Sequence, residues 1–412
     1  MTSADAGDFE TVLGAAVLLH ENGQSTDMTL IAVRRLSRGL GMTAVAIPSW
    51  TSMTLTTEET APQLRVVPVA PVAVNMRRVS AAMRAIDRAE DGTLDRPLLR
   101  RELADAARES GSATPPFVIA CALGAAALSI VFGITDFWAI ALVAASAAVG
   151  GGCRRLLARW QVGAFAQVFT AALVAGLGGA LAPHLGLGGV VGLTAVCPAM
   201  VLVPGPQILN GAMDLLAARI SLGLSRLGYA AVIFAAIAAG LVLGLFVGGQ
   251  TLPLWSTDVD VPICADVLAA GVAAAAYPVY FSMPYRMIGL PVAAGMIAHA
   301  VHWFAVDVWH AGLPGAALVS CLVVGAALAP VSHLLRIPFA AIGFAAVVAL
   351  VPGMYVFRVL AGLMRLTTDT SPSVIAATVS NGSIAVFVVA AMAVGLAVPN
   401  HIRNAVVAAR GS

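Results

Sequence analysis

Between residues 117 and 399 only 9 Arg and 7 Asp interrupt an otherwise apolar chain, with no Lys and no Glu. Water-soluble domains carry roughly 25% charged residues, whereas this protein of 412 residues carries 11% and is 59% hydrophobic. Its mean hydropathy is +0.91. A stretch this poor in charge has to satisfy its backbone in lipid, where helices and closed barrels are the only spanning solutions. The apolar segments have helix length. The chain therefore reads as an α-helical integral membrane protein.

The charges gather at the N-terminus, where residues 1–110 hold 12 Arg and 14 Asp or Glu. This predicts a separate polar domain over 1–112, followed by a membrane portion. No signal peptide is visible: the first long apolar run begins near Phe117 and the N-terminus is acidic. The domain is expected to stay in the cytoplasm. Helical spacing over Phe9–His20 and Ser25–Leu40, and extended stretches at Thr43–Ile47, Ser52–Thr56 and Leu64–Val69, suggest an α/β fold. Amphipathic helices near Val74–Ala89 and Asp95–Glu109 follow, and Thr114-Pro115-Pro116 marks the passage into the membrane.

About ten apolar segments come next, near 117–132, 135–150, 163–182, 187–204, 228–249, 262–282, 287–305, 313–331, 337–353 and 382–399. Arginine follows the even-numbered segments as Arg154, Arg155, Arg159, Arg219, Arg226, Arg286 and Arg336. The alternate loops carry Asp136, Asp258, Asp260 and Asp307 instead. The positive-inside rule then puts both termini in the cytoplasm. Arg358 and Arg365 depart from the alternation, unless they lie on a half-helix that dips back into the protein.

The tetrapeptide Leu202-Val203-Pro204-Gly205 recurs as Leu350-Val351-Pro352-Gly353, each time at the end of an apolar run. Proline removes a backbone donor and clashes one turn back, and glycine loosens the chain. In lipid such a break is tolerated where protein or a water-filled cavity satisfies the freed groups. Aligning the two sites as the fourth segment of each half gives five plus five segments over 113–255 and 256–412. Five is odd, so the halves run in opposite directions, an inverted repeat of the kind secondary transporters use. The plainer alternative is that Pro204-Gly205 simply ends a helix at the cytoplasmic surface.

In its motifs the chain resembles the threonine/serine exporter family. The likeness is carried by Leu18-Leu19-His20-Glu21-Asn22-Gly23-Gln24-Ser25-Thr26, Ala32-Val33-Arg34-Arg35 and Gly39-Leu40-Gly41-Met42. It continues in Val203-Pro204-Gly205-Pro206 with Asn210-Gly211 and Asp214, then in Pro284-Tyr285-Arg286 and Leu350-Val351-Pro352-Gly353. Both halves sit in one chain, whereas some relatives divide them between two proteins. The resemblance implies export of threonine, serine or similar solutes across the cytoplasmic membrane of a bacterium, driven by the proton gradient. One departure is Gly23-Gln24-Ser25-Thr26, where relatives often carry Gly-Ala-Glu-Thr.

A zwitterionic amino acid needs a different partner at each end. A half-helix beginning near Gln207 would offer N–H groups and a favourable dipole to a carboxylate. Asn210 and Asp214, one turn apart, would share a face. The candidate transport path is Pro204, Gly205, Asn210, Asp214, Pro352, Gly353, Arg358 and Asn381, with Asp214 and Asp136 as candidates for proton coupling. Each has a plainer reading: Asp214 as an ion-pair partner of Arg219, Asp136 and Asn381 as helix caps. Asp266 reads as a helix start, and His299 and His302 as packed or proton-sensing residues on one face.

Rival functions stay open. If Arg358 faces a cavity, small dicarboxylates or dipeptides become alternative cargo. A hydrolase or sensor in the N-terminal domain is the other rival, but no nucleophile elbow or metal framework supports it. The expected partners are a small amino acid, protons and the lipid bilayer, with a homo-oligomer left open. No cofactor and no metal are expected, and the net charge of +2 argues against nucleic acid. The glycine runs at 176–179 and 186–189, and Gly240, Gly244 and Gly248, read as helix-packing positions.

Overall fold

The computed structural model describes residues 3–57, 62–254, 261–334 and 339–410. Asp258, Asp260, Arg336 and the boundary at 255/256 lie outside the described residues. The N-terminal part contains α1 (Ser3–Glu21), α2 (Thr26–Gly39), strands β1 (Ala44–Pro48), β2 (Ser52–Thr57) and β3 (Leu64–Pro68), then α3 (Met76–Glu90) and α4 (Arg96–Arg108). The helix starts are chemically marked. Ser25, Asn75 and Asp95 each accept a backbone N–H in the first turn of α2, α3 and α4.

The three strands form an antiparallel sheet in the order β1-β2-β3. They are consecutive and tightly connected, with the helices before and after them, so the arrangement is α+β and not the expected α/β. Short loops between adjacent strands permit antiparallel pairing and leave no length for a helical crossover. Met53 and Leu55 on β2 point inward and are fully buried.

Among the described residues, eight helices are long and apolar enough to cross a membrane, and two further pairs pass the same test only as bent units. The full-length helices are α5 (Thr114–Val131), α6 (Phe137–Arg159), α7 (Ala164–Leu181), α10 (Ile220–Val247), α11 (Ile263–Tyr280), α12 (Gly289–Trp303, prolonged by a π-helical turn Phe304–Val308), α13 (Leu313–Leu334) and α16 (Pro372–Arg410). The bent pairs are α8 (Val191–Met200) with α9 (Gly205–Leu216), and α14 (Phe339–Val347) with α15 (Gly353–Arg365). They turn by 71° and 54° respectively, at the two Leu-Val-Pro-Gly sites. At Pro204-Gly205 one helix ends and a second begins at an angle to it.

Three segment boundaries differ from expectation. α10 begins at Ile220 and not near 228, which places Arg226 within the helix and almost fully buried. α6 runs on to Arg159. α16 begins at Pro372 and not near 382, because Pro372 fills the first helical turn, where a missing N–H costs nothing. Arg358 and Arg365 lie on α15, the second half of a broken pair.

Small residues set the helix packing. α7 lies along α10 and α13 along α16. A Cβ on Gly240 would come within 2.3 Å of the Phe169 carbonyl, and one on Gly244 within 2.4 Å of the Leu173 carbonyl. Gly186 and Gly188, by contrast, belong to short 3-10 turns between α7 and α8, with Gly186 at φ +77°. That run is a connection, and not the helix contact expected of it.

The N-terminal part is fixed to one end of the helical bundle. Met76 and Arg77 donate their backbone N–H groups to the carbonyls of Phe281 and Ser282, at 3.1 and 3.0 Å. Ser112 donates its hydroxyl to the Val279 carbonyl at 2.7 Å and accepts Arg155 Nη2 on its own carbonyl at 2.9 Å. Exposed aromatic residues stand at helix ends: Trp160 after α6, Tyr285 before α12, Phe137 and Trp138 at the start of α6, and Trp309 after the π-helical turn. Such rings favour the level of lipid headgroups.

Candidate functional site at the two helix breaks

The two breaks share one local geometry. Gly205 N–H donates to Val203 O and Gly353 N–H to Val351 O, both at 2.8 Å. Pro204 (φ −79°, ψ 58°) and Pro352 (φ −78°, ψ 44°) hold the same backbone conformation ahead of the second half-helix. Their surroundings differ sharply.

The first break is closed. Phe344 of α14 lies against Gly205, and Phe281 packs edge-on to Phe344 with ring centroids 5.5 Å apart. Tyr277 donates its hydroxyl to the Met200 carbonyl at 3.2 Å. Beneath this aromatic layer the N-terminal part reaches α9. Asn210 Nδ2 donates to the Gly23 carbonyl at 3.5 Å, and Thr26 donates its hydroxyl to Asp214 Oδ2 at 3.1 Å.

Asp214 is only 2% exposed and pairs with both Arg219 and Arg226, each at 3.1 Å. Arg219 also pairs with Asp27 across the junction. Two carboxylates thus meet two guanidiniums at a seam that is buried at Asp214 and Arg226 and half-buried at Asp27 and Arg219. His20, beside this cluster, has its pKa lowered to about 4 by burial first and by Arg226 second, against the raising effect of its contact with the Ser49 carbonyl.

The second break is open. Pro352 lines a cavity of about 650 Å³, reached from the end of the bundle opposite the N-terminal part. The first turns of α15 face it through Met354, Tyr355 and Arg358. Its titratable lining residues are Asp266, His299, His302, Asp307, Tyr355 and Arg358. His299 Nδ1 lies 3.0 and 3.2 Å from the two carboxylate oxygens of Asp266.

The sequence candidates therefore fall into separate places. Pro352 and Arg358 reach the cavity, and Gly353 lies just behind it. Pro204, Gly205, Asn210 and Asp214 gather at the closed break. Asp136 accepts the Ala139 N–H at 2.9 Å and caps α6. Asn381 lies inside α16, donating to the carbonyls of Ala377 and Leu254 at 2.7 and 3.3 Å, so it neither caps that helix nor lines the cavity. Among the described residues no group of three His, Cys, Asp or Glu is arranged to hold a metal.

The Asp266–His299 pair was not anticipated. The two residues lie 33 positions apart on different helices, and only their unusual placement in apolar segments marked them. His299 and His302 do share a face, with ring centroids 6.2 Å apart.

Comparison with known families decides the relationship. Residues 10–248 match a profile described as "Putative threonine/serine exporter", and residues 266–402 match one described as "Threonine/Serine exporter, ThrE". The chain belongs to the threonine/serine exporter family. The two matches meet between the end of α10 and the first turn of α11, so each takes four full-length helices and one broken pair. A member of the threonine/serine exporter family with these helices is a multi-pass membrane exporter. No curated protein and no solved structure matches the chain.

Proposed function

We propose that this protein exports threonine, serine or a similar small amino acid by alternating access, driven by the proton gradient, across the cytoplasmic membrane of a bacterium. Both termini and the domain over 1–112 face the cytoplasm. The observation that carries this reading is the asymmetry of the two breaks: one opens to a cavity with charged walls, the other is sealed by Phe344 and covered by the N-terminal part.

The cavity volume lies within the roughly 300–1,000 Å³ usual for small-molecule sites. Arg358 and the first turn of α15 suit a substrate carboxylate, since a guanidinium can bind it bidentately and the helix dipole favours it. The carboxylate of Asp307 suits the ammonium. In this reading the structure is the outward-open state, and the cargo entered from the side now closed at Gly205.

Two halves of five spans, inverted about the membrane plane, fit the same picture. Each half runs three full helices, a broken pair and a last full helix. Packing is reciprocal: α9 touches α16 as α15 touches α10. Inverted repeats of this kind supply the two alternative packings that open one side or the other.

A second reading has one specific observation in its favour. Arg358 faces the cavity, as a dicarboxylate or dipeptide carrier would require. Counterflow of labelled threonine in proteoliposomes tests both, with unlabelled serine, succinate and a dipeptide as competitors. Competition by serine alone supports the amino-acid reading. Competition by succinate or the dipeptide, with serine inert, replaces it.

A further inference from the structure

We propose that Asp266 and His299 are the proton-carrying site of the transport cycle, set in the wall of the open cavity. The inference rests on reading the chain as a proton-coupled exporter, and it moves the coupling role away from Asp214 and Asp136.

Three observations carry it. Asp266 sits in the first turn of α11 and His299 on α12, and both carboxylate oxygens lie within hydrogen-bond distance of Nδ1. A neutral imidazole that donates from Nδ1 keeps its lone pair on Nε2. That Nε2 is buried without a hydrogen-bond partner, in a residue that is 3% exposed and lines the cavity.

The site is thus a base with one nitrogen fixed by a carboxylate and the other unoccupied. Proton addition to Nε2 turns a carboxylate beside a neutral ring into a carboxylate–imidazolium pair. A lone negative charge within the bilayer is expensive, and the added proton removes that imbalance. The proton arrives from cavity water when the site faces outward and leaves from the same nitrogen after the cavity has closed there and opened on the other side. No bond other than N–H forms or breaks.

The charged and titratable groups facing the pair are His302 on the same helix, Asp307 on the π-helical turn, and Tyr355 and Arg358 on α15. The other two candidates are already engaged. Asp214 has two guanidiniums and a hydroxyl on its oxygens, and Asp136 caps a helix.

The test uses the full chain in proteoliposomes with a pH-sensitive dye in the lumen. Threonine–threonine exchange at equal pH is compared with threonine flux driven by an imposed proton gradient. His299→Gln and Asp266→Asn are expected to keep exchange at saturating threonine, while gradient-driven flux and the dye signal fall to the level of empty vesicles. Variants that still couple flux to proton movement would overturn the inference and leave export intact. Monodisperse variants that lose exchange as well would also overturn it, by assigning the pair to substrate binding or structure. Should neither variant fold, the wild type decides: threonine flux without a dye signal contradicts the proposal, and flux with one sustains it only if modifying the histidines with diethylpyrocarbonate abolishes the signal before it abolishes exchange. Absence of threonine exchange in the wild type is a different failure, that of the export reading itself.

Discussion

Phe344 presses its ring against Gly205 so closely that a Cβ built at position 205 would lie 1.7 Å from it. The contact joins α14 of the second broken pair to the start of α9 in the first. It leaves the aromatic ring as the layer between the open cavity and the N-terminal part. Gly205→Ala is therefore expected to displace Phe344 and to destabilise the fold by about 1–3 kcal/mol, as overpacking does. Gly353→Ala provides the contrast. Its nearest neighbour is the flexible end of Met200 at 3.4 Å, so little change is expected. Thermal unfolding in detergent separates the two, and equal effects would contradict a sealed first break.

The seam between Thr26 and Asp214 should matter unequally for its two partners. Asp214→Asn leaves Arg226 buried without a counter-charge, a loss of about 3–5 kcal/mol for a broken buried pair. Thr26→Val removes one hydrogen bond, worth roughly 1 kcal/mol. Melting temperatures of the two variants give the comparison. Equal small shifts would show that the seam does not secure the N-terminal part to α9.

His20 gives the stability a defined dependence on pH. Its folded-state pKa of about 4 lies below the 6.5 of the free side chain, so the unfolded chain binds the proton more readily. Stability from this group is complete above the unfolded value and is lost as pH falls toward the folded one. His20→Gln is expected to flatten the decline in melting temperature between those two values. An unchanged slope would mean that His20 is not held neutral.

Much of this architecture was legible beforehand, and the reasons are local. Charge segregation marked the membrane portion, and Pro-Gly marked both breaks, because each acts on the backbone where it stands. What stayed hidden depends on contacts between distant segments. Nothing near Asp266 signals His299, and nothing near Asp214 signals Thr26, 188 residues away. Asn381 misled because a polar residue amid apolar ones looks like a helix start, whereas its amide bonds back to Ala377 within α16. The strand order was invisible too, since alternation gives strands but not their directions.

Arg358 should govern substrate affinity more than turnover. A hydrogen bond to a charged group contributes about 1.5–3 kcal/mol, so Arg358→Gln is expected to raise the KM for threonine by roughly 10- to 100-fold. Arg358→Lys keeps the charge but loses the fork and should recover part of that loss. Initial rates over a range of threonine concentrations give both values. An unaltered KM in both variants would remove Arg358 from the site.

The central claim is that the two breaks are the two ends of one path, open in turn. The most direct test is labelling of Tyr355→Cys and Asn210→Cys with a membrane-impermeant thiol reagent, in a background lacking Cys121, Cys153, Cys197, Cys264 and Cys321. Without substrate, position 355 should react from outside and position 210 should be protected. Threonine supplied with a proton gradient should lower reactivity at 355 and raise it at 210 from the cytoplasmic side. Labelling of both positions from one side, or no reciprocal change with threonine, would contradict alternating access through these breaks.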